Sequence, residues 1–335
     1  MSGRATARVA VLVGDLGDQR CGVGRSTAAL LDARDDVVVL DPSRPGLRAW
    51  WSACRNAALE CGAAVMIYPT RSTFERPRTF VHAYLAALAF GRKPFRTYLH
   101  EYSRFGRKHR PFVATLAWLG SDGIIVSTQG EADALRRRWP GLLTRRRSFI
   151  VVPPVNGTAP AASQMTVSHT ATGTAGVFGM PRPDKDIDWI SKVVTSLPSS
   201  IKRLQLAGSG WETEHLPDTA RRRLDVEVLG HVADGDLEDL FRQWDLAIAP
   251  FADGPHDGRL SLRTPLAYGV PTITSRPRVG ELTLETEHLC FEVDDIGRLL
   301  NSDDRGAWRR QVADYEADVR QRLRVAVLGS VARDG

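Results

Sequence analysis

Cysteine is scarce in this sequence. The 335 residues include only Cys21, Cys54, Cys61 and Cys290, which form neither a paired framework nor a Cys-x-x-Cys motif. This spacing argues against structural zinc and against a disulfide scaffold, and it predicts a reducing, cytoplasmic environment. No apolar run approaches the roughly 20 residues that a membrane-spanning helix requires. The apolar segment Val9–Val13 ends in Gly-Asp rather than in a cleavage site, so we expect no signal peptide.

Several common catalytic motifs are also absent. The sequence contains no Gly-x-Ser-x-Gly elbow, no Walker phosphate loop, no His-Glu-x-x-His zinc motif and no recognised nucleic-acid-binding module. Asp184-Lys-Asp186 has the Asp-x-Asp spacing that holds a divalent cation in some enzymes, but the intervening lysine disfavours a cation. We therefore expect no metal ion, and we expect nucleic acid not to be a partner.

What the sequence does contain is typical of a globular protein, with 43% hydrophobic and 25% charged residues and enough length for two domains. The net charge of +6 is unevenly distributed. Residues 1–172 carry 24 Lys and Arg against 12 Asp and Glu, whereas residues 173–335 carry 21 against 27. The excess of positive charge in the first half indicates an anionic partner there.

The first half alternates short apolar strands with helical segments. The predicted strands are Val9–Val13, Asp36–Leu40, Ala64–Tyr68, Thr97–Leu99, Gly123–Val126 and Phe149–Val152. The predicted helices are Arg25–Asp32, Thr79–Phe90, Phe112–Leu119 and Glu131–Trp139. Because strands separated by helices pair in parallel, this pattern predicts an open, doubly wound α/β domain over residues 1–155.

A second series follows residues 156–174, which are small, polar and aperiodic and are predicted to be a linker. The predicted strands are Ala175–Phe178, Arg203–Ala207, Val226–Leu229, Leu246–Ala249 and Pro271–Thr274, and the helices are Ile187–Ser196, Leu237–Trp244 and Leu262–Tyr268. We expect a second α/β domain over residues 175–300, facing the first across a ligand-binding cleft. Residues 301–335 are predicted to form a helical segment that packs back on the first domain.

Glycine-rich turns follow several of these strands. Gly22-Val-Gly24 stands between a strand and a helix, and Gly208-Ser-Gly210 follows a later strand. Glycines let a backbone approach a phosphate closely, and a helix N-terminus offers it free N–H groups. A tight structural turn is the alternative at both places.

Polar and charged residues occur at the same kind of position. His100 follows a predicted strand, where it either bonds a substrate hydroxyl or serves a structural role. Arg182 and Lys185 precede a helix, where they either clamp a diphosphate or form a solvated charged loop. The loop after Pro250 leads into a helix that begins near Ser261 and presents backbone N–H groups to an anion.

Clusters of arginine and lysine account for most of the positive charge in the first half. They comprise Arg104, Arg107, Lys108, Arg110, Arg136–Arg138 and Arg145–Arg147. These residues form either a solvated helix face or a surface for an anionic acceptor or for lipid headgroups.

Taken in order, the motifs resemble the GT-B glycosyltransferases, specifically the large family-4 group of retaining, nucleotide-sugar-dependent enzymes. The similarity runs from residue 9 to about residue 296, and no single motif carries it alone. The matching segments are Gly22–Gly24, Leu99–Glu101, Ile125–Ser127 with Glu131, Val152–Val155, Phe178-Gly179, Lys185, Leu206–Gly208, Leu229–Val232, Leu240, Trp244-Asp245 and Leu266–Pro271.

The resemblance implies a role for each matching position. Lys185 would neutralise the donor diphosphate with Arg182 nearby, and His100 would face the transferred sugar or its acceptor. Backbone groups would surround the rest of the donor: Gly22, Val23, Gly24, Gly208 and Gly210 beside the phosphates, Leu260, Ser261 and Leu262 through their N–H groups, and Gly230, His231 and Val232 around the base.

The sequence departs from the family at one point. The family commonly has two glutamates ahead of the Ala-x-Gly-x-Pro stretch, and here those positions hold His256 and Thr264. Thr264 retains a hydroxyl for the ribose, whereas His256 does not replace a carboxylate. The segment from Gly254 to Leu262 resembles a family variant in which Arg259 supplies charge to the phosphate.

The sequence thus predicts a metal-independent glycosyltransferase that moves a sugar from a UDP- or GDP-sugar to a hydroxyl, with retention and no other cofactor. The predicted acceptor is anionic or lipid-linked: a membrane-bound saccharide, a growing polysaccharide or a phosphate-bearing metabolite. A peripheral contact with the inner face of an anionic membrane follows from the same charge. The alternatives are a sugar-nucleotide epimerase and an inactive sugar-nucleotide-binding subunit.

Overall fold

A computed structural model describes most of the chain as two compact units. The described residues are 8–14, 16, 22–31, 36–42, 46–68, 79–91, 93–100, 111, 115, 118–119, 122–142, 148–157, 171–276, 281–300 and 305–329. The first unit comprises Met1–Gly157 and Asp318–Gly335, and the second comprises Thr158–Ala317.

The first unit contains a six-stranded parallel sheet in the order β2-β1-β3-β4-β5-β6. Its strands are β1 (Arg8–Leu12), β2 (Val37–Leu40), β3 (Cys61–Tyr68), β4 (Phe95–Leu99), β5 (Gly123–Val126) and β6 (Ser148–Val151). Its helices are α1 (Gly22–Leu31), α2 (Leu47–Glu60), α3 (Thr79–Phe90) and α4 (Gln129–Arg138), with a 3₁₀ turn at Pro140–Leu142.

The second unit also contains a six-stranded parallel sheet, in the order β12-β11-β10-β7-β8-β9. The strands are β7 (Thr174–Phe178), β8 (Arg203–Ala207), β9 (Asp225–Gly230), β10 (Leu246–Ala249), β11 (Thr272–Thr274) and β12 (Cys290–Phe291). The helices are α5 (Ile187–Ser196), α6 (Asp218–Arg223), α7 (Leu237–Arg242), α8 (Leu260–Ala267), α9 (Leu284–Leu289), α10 (Ile296–Leu300) and α11 (Arg305–Leu328). Short 3₁₀ turns lie at Thr213–His215, Asp234–Asp236 and Val293–Asp295.

Strand β1 shows why these short apolar runs become central strands. Its residues alternate between two faces, and both faces are buried. Ala10 and Leu12 belong to the cluster that contains Trp50 of α2, whereas Val9 and Val11 pack with the cluster that contains Leu30 of α1. Helices therefore cover both sides of the sheet, and the predicted doubly wound α/β class is confirmed for both units.

Helix α2 was not predicted from the sequence. It begins after Gly46, whose lack of a side chain leaves the helix without a side-chain cap, so the usual start signal is missing. Trp50 is buried and its Nε1 donates to the carbonyl of His82 at 2.8 Å. Lys93 follows α3 and donates to the carbonyl of Cys61 at 2.8 Å, just past the end of α2. Tertiary packing defines this helix rather than local sequence signals.

Some predicted boundaries shift for identifiable reasons. The helix predicted over Leu237–Trp244 ends at Arg242, because Trp244 turns into the core and donates from Nε1 to Gln205 Oε1 at 2.7 Å. The Trp244 ring fills the space beside Gly176, where an added Cβ would come within 2.1 Å of it. Most of the predicted helix Phe112–Leu119 and most of the predicted linker lie outside the described residues.

Helix α11 contributes to both units. Glu316 pairs with Arg263 in the second unit, whereas Leu323 and Val327 belong to a hydrophobic cluster of the first unit. Arg96 of β4 also donates to the carbonyl of Ala326 near the end of this helix. No helix within the described ranges is long and apolar enough to cross a membrane.

Candidate functional site

The second sheet reverses its strand order beside β7. The chain runs from β7 to β8 and β9 on one side, and β10 then pairs with the other side of β7. In open α/β sheets, ligands bind at the carboxyl ends of the strands at such a reversal. Lys185, which follows β7, forms an antiparallel bridge with Phe251, which follows β10. The two loops are therefore joined at the position where a ligand is expected.

Glycines end three neighbouring strands at this edge. Gly179, Gly208 and Gly230 adopt φ values of 96°, 151° and 66°. Residues that carry a Cβ rarely adopt such values. The N–H of Gly179 donates to the carbonyl of Ala207 at 2.8 Å, and the N–H of Gly208 donates to that of Gly230 at 2.7 Å. A Cβ on Gly208 would lie 2.5 Å from the Gly179 carbonyl oxygen. The three turns therefore form one close-packed backbone layer.

Gly210 lies in the same region, since an added Cβ would come within 3.9 Å of the Pro181 ring. It also has a positive φ, of 86°. The Gly208-Ser-Gly210 turn thus contacts the loop after β7, where a phosphate is predicted to bind.

Lys185 lies beside this layer. Its side chain is largely buried, with 8% of the residue exposed, and Nζ donates to the carbonyl of Phe178 at 3.3 Å. The ammonium also lies 4.5 Å from the centroid of the Phe251 ring, within cation–π range. An added Cβ on Gly179 would lie 3.9 Å from Nζ. The positive charge is therefore held against the glycine turn by a carbonyl and an aromatic face.

The N-terminus of α8 reaches the same turn. The Ser261 Cβ lies 2.9 Å from the position that a Cβ on Gly179 would occupy. The N–H groups of Leu262 and Arg263 donate to the carbonyl of Arg259 at 3.0 and 3.1 Å. Among the described residues, the N–H groups of Leu260 and Ser261 have no backbone acceptor before the helix, and the Arg259 side chain caps neither of them. These two N–H groups and the Lys185 ammonium together form the kind of donor arrangement that anions favour.

Arg259 has a different environment from the one that the resemblance implies. Its side chain is 4% exposed, pairs with the carboxylates of Asp184 and Asp253, and stacks 4.4 Å from the centroid of the Phe251 ring. Its charge therefore ties the loop after β7 to the loop before α8. The other carboxylate of the Asp-x-Asp sequence, Asp186, caps α5 by accepting from the N–H of Trp189 at 3.0 Å.

The remaining predicted donor-binding residues of the second unit have varied surroundings. His231 and Arg182 are exposed, and Val232 packs against the cluster that contains Phe241. The carbonyl of His256 accepts from the N–H of Arg259 at 2.9 Å, which places His256 in the loop that leads to α8. Thr264 lies inside α8 and is 3% exposed.

Two buried charged residues next to the site were not predicted from the sequence. Arg263 and Glu316 are both buried and form an ion pair behind α8. They are separated by 53 positions, so no local motif signals the pairing. Within the described ranges, no three His, Cys, Asp or Glu side chains are placed to hold a metal ion.

His100 lies at the carboxyl edge of the first sheet. It is 4% exposed, and its backbone N–H donates to the carbonyl of Tyr68 at 2.9 Å. Its ring packs against that of Tyr98 with centroids 4.0 Å apart. Nδ1 lies 3.5 Å from Oγ of Ser127, which follows β5. The resembling segments around His100 and Ser127 are therefore adjacent in space.

The glycine segment Gly22-Val-Gly24 forms the first turn of α1. This helix begins three residues earlier than predicted, and the hydroxyl of Thr27 donates to the carbonyl of Val23 at 2.9 Å. Because α1 follows β1 in a parallel sheet, its N-terminus lies at the same edge as His100. Cys21 lies outside the described residues.

Only part of the predicted basic surface can be placed. Arg136 pairs with Asp133 and stacks 4.8 Å from the Phe149 ring centroid, whereas Arg137 and Arg138 are exposed. The other basic clusters, at 104–110 and 145–147, lie outside the described residues.

Comparisons with known proteins agree with this architecture. Residues 172–313 match the profile of a family described as Glycosyl transferases group 1. No curated protein matches the sequence.

Several solved structures are similar over nearly the whole chain. An alpha-glucosyltransferase in complex with UDP-glucose and DNA has a TM-score of 0.61 and 10% identity, covering 95% of this chain and 96% of that one. AviGT4, a glycosyltransferase involved in avilamycin A biosynthesis, has a TM-score of 0.56 and 15% identity, covering 98% of both chains. Sucrose-phosphate synthase from Thermosynechococcus elongatus has a TM-score of 0.57 and 14% identity, also covering 98% of both. At these identities the similarity shows a shared fold.

Proposed function

We propose that this chain, which has the GT-B fold and whose residues 172–313 match the group 1 glycosyl transferases, transfers a sugar from a nucleoside diphosphate to a hydroxyl acceptor. One observation carries the proposal: Lys185, the Gly179 turn and the first two N–H groups of α8 converge at one edge of the second sheet. A lysine charge beside a glycine turn and a helix N-terminus matches the geometry and charge of a diphosphate.

The donor diphosphate would lie across this arrangement. Lys185 and the N–H groups of Leu260 and Ser261 would stabilise the charge that develops as the glycosidic bond to phosphate breaks. Preorganised donors of this kind need no rearrangement during the reaction, so a metal ion is not required for charge neutralisation. The turn at Gly230, His231 and Val232 would border the base.

Retention of configuration requires the acceptor to attack from the face that the diphosphate leaves. The acceptor oxygen would bond to the anomeric carbon while the bond from that carbon to the diphosphate oxygen breaks, and the departing oxygen would take the acceptor proton. No separate carboxylate base is needed for this transfer. We propose that His100 bonds a hydroxyl of the transferred sugar or of the acceptor, and that Gly22–Gly24 lies beside the phosphates.

For Arg259 we propose a role other than the one that the resemblance implies. Two carboxylates already neutralise the guanidinium, so we propose that it shapes the site rather than supplying free charge to the phosphate. By holding Asp184 and Asp253 together, it fixes the loops from which Lys185 and α8 extend. Asp253 is 41% exposed at its side chain, so one carboxylate remains open to solvent near the donor.

For the donor we propose a UDP- or GDP-sugar, and one similar structure is a complex with UDP-glucose. For the acceptor we propose an anionic or lipid-linked molecule, because the positive charge is concentrated in the first half whereas the donor charge is met by Lys185 in the second. The candidates are a membrane-linked saccharide, a growing polysaccharide and a phosphate-bearing metabolite. Because one similar structure is a complex with DNA, DNA belongs in the acceptor panel as the outcome that would contradict all three of these candidates.

A turnover assay tests the proposed reaction. Purified protein is incubated with UDP-, GDP- and TDP-sugars and with acceptor pools, and release of nucleoside diphosphate is measured. Release that depends on an acceptor supports the proposal. Conversion of the sugar without nucleotide release would identify an epimerase instead, and binding without any conversion would identify an inactive binding subunit.

A liposome flotation assay tests the peripheral membrane contact. The protein is expected to float with anionic vesicles at low salt and to be released at high salt, because exposed cationic groups are screened. Flotation that is independent of lipid charge, or no flotation at all, would exclude an electrostatic contact.

A further inference from the structure

Arg263 is a fully buried arginine directly behind the predicted donor site. Only 1% of the residue is exposed. Its Nε donates to Oε1 of Glu316 at 2.8 Å, and Nη2 pairs with Oε2 of the same carboxylate. The two side chains form a two-point pair that links α8 to α11.

The remaining nitrogen of Arg263 makes a contact of a different kind. Nη1 donates to the backbone carbonyl of Asp257 at 3.1 Å. Asp257 lies two residues before Arg259, at which α8 is capped, so this bond holds the loop that sets the start of the helix. The same loop is fixed from another direction, since the N–H of Asp257 donates to the carbonyl of Glu281 at 3.0 Å and its Oδ2 accepts from the N–H of Thr283 at 2.7 Å.

Burying an ion pair costs free energy, because both charges lose their hydration. Burial lowers the pKa of the Arg263 guanidinium, but the Glu316, Tyr315 and Asp257 charges outweigh it and raise that pKa overall. An apolar pair of similar volume commonly gives equal or greater stability. An apolar pair offers no donor to the carbonyl of Asp257, so this backbone bond distinguishes Arg263 from a packing residue.

We infer that Arg263, oriented by Glu316, is a positioning residue that sets the N–H groups of Leu260 and Ser261 for the donor diphosphate. The inference rests on the proposed function for the identity of the ligand. Arg263 itself is not proposed to contact the substrate.

The test uses a double variant, Arg263→Met with Glu316→Met, which removes the hydrogen bond to the Asp257 carbonyl without leaving Glu316 as a buried carboxylate that lacks its arginine. The matched control is Arg223→Met. Arg223 belongs to the same unit and donates to the carbonyls of Val194 and Leu197 at the end of α5, away from the site. Affinities for UDP and GDP and for the corresponding nucleosides are measured by calorimetry, together with the melting temperature.

The double variant is expected to bind the nucleoside diphosphate at least about tenfold more weakly, while its affinity for the nucleoside changes less than about twofold. Arg223→Met is expected to lower the melting temperature and to leave both affinities unchanged. If the double variant binds the diphosphate like the wild type, or loses nucleoside affinity to the same degree, the positioning role is wrong.

Hydrogen exchange in the absence of ligand separates failure of the inference from failure of the proposed function. The N–H groups of residues 257–263 are expected to exchange faster in the double variant and at the wild-type rate in Arg223→Met. Unchanged exchange in the double variant would overturn the inference even if the diphosphate binds. If the wild type binds no nucleoside diphosphate, the proposed function fails, and the exchange rates still decide whether Arg263 holds this loop.

Discussion

The Cβ of Ser261 lies 2.9 Å from the point where a Cβ on Gly179 would stand. The first turn of α8 and the turn after β7 are therefore in contact only because residue 179 has no side chain. The φ of 96° at Gly179 imposes the same requirement on the backbone. Close approach at this point brings the N–H groups of Leu260 and Ser261 next to Lys185.

Substituting Gly179 tests this close approach. Gly179→Ala is expected to lower the free energy of unfolding by about 1–3 kcal/mol, because the positive φ is strained and the Ser261 side chain must move. Nucleoside diphosphate affinity is expected to fall with it. Denaturant unfolding and calorimetry measure the two effects. Gly235→Ala is the control, since an added Cβ at Gly235 meets no atom within 4 Å, and a loss of equal size there would contradict the account.

Substituting His100 distinguishes donor binding from sugar transfer. His100→Gln is expected to leave nucleoside diphosphate affinity unchanged and to lower kcat by about a hundredfold or more, the usual cost of removing one well-placed hydrogen-bonding group. Steady-state kinetics and calorimetry on the same preparation measure both. Loss of donor affinity in this variant would contradict this separation, and an unchanged kcat would show that His100 only supports the stack with Tyr98.

Asp245 anchors the start of the second unit. Its carboxylate accepts hydrogen bonds from the N–H groups of Gly173 at 2.7 Å and of Thr172 and Thr174 at 3.1 Å, and the residue is buried. Asp245→Ala is expected to lower the free energy of unfolding by about 2–4 kcal/mol, since three backbone donors, of which that of Thr174 is buried, lose a buried charged acceptor. The surface pair of Asp239 with Arg242 provides the control. Asp239→Ala is expected to cost less than about 1 kcal/mol, and similar losses in both variants would contradict this assignment.

Burial of Cys54 makes stability depend on alkaline pH. Burial raises the pKa of this thiol from 9.0 to about 12. Between these values the folded state keeps the proton and the unfolded state releases it, so stability is complete below pH 9 and is lost as pH rises toward 12. The slope is about 1.4 kcal/mol per pH unit for one such group.

Cys54→Ala should remove that part of the slope. Urea unfolding of both proteins at about pH 8 and about pH 10.5 measures it, with the wild type losing more stability than the variant. Burial also raises the pKa of Tyr68 to about 12, and this contribution is shared by both proteins. Parallel losses in the two proteins would show that the Cys54 thiol does not contribute.

Several elements of the second unit could be predicted from sequence because their signals are local, whereas α6, α9, α10 and β12 were not predicted. The helix Ile187–Ser196 and the strands Arg203–Ala207 and Leu246–Ala249 have the bounds that short apolar runs and helical periodicity predict. Lys185 follows β7 at the carboxyl edge of the sheet, where open α/β sheets bind ligands, so it could also be predicted from the sequence as a site residue.

The contacts that shape the site could not be predicted in this way. Arg259 meets Asp184 across 75 positions, and Arg263 meets Glu316 across 53. Each pairing depends on how the sheet brings distant loops together, which neither spacing nor periodicity encodes. For this reason we propose a role for Arg259 other than the implied phosphate role. Helix α2 was not predicted because it lacks the usual start signal and is defined by the packing of its own Trp50.

Lys185 allows the most direct test of the diphosphate site. Lys185→Met keeps an apolar stem against Phe251 and removes the charge, so the fold is expected to survive. Calorimetry with UDP and GDP, and with uridine and guanosine, compares this variant with the wild type. We predict that the affinity of the variant for UDP or GDP, whichever the wild type binds, falls at least about tenfold while the affinity for the corresponding nucleoside is retained. Equal diphosphate affinity in a folded Lys185→Met variant would contradict the assignment of this edge as the donor site.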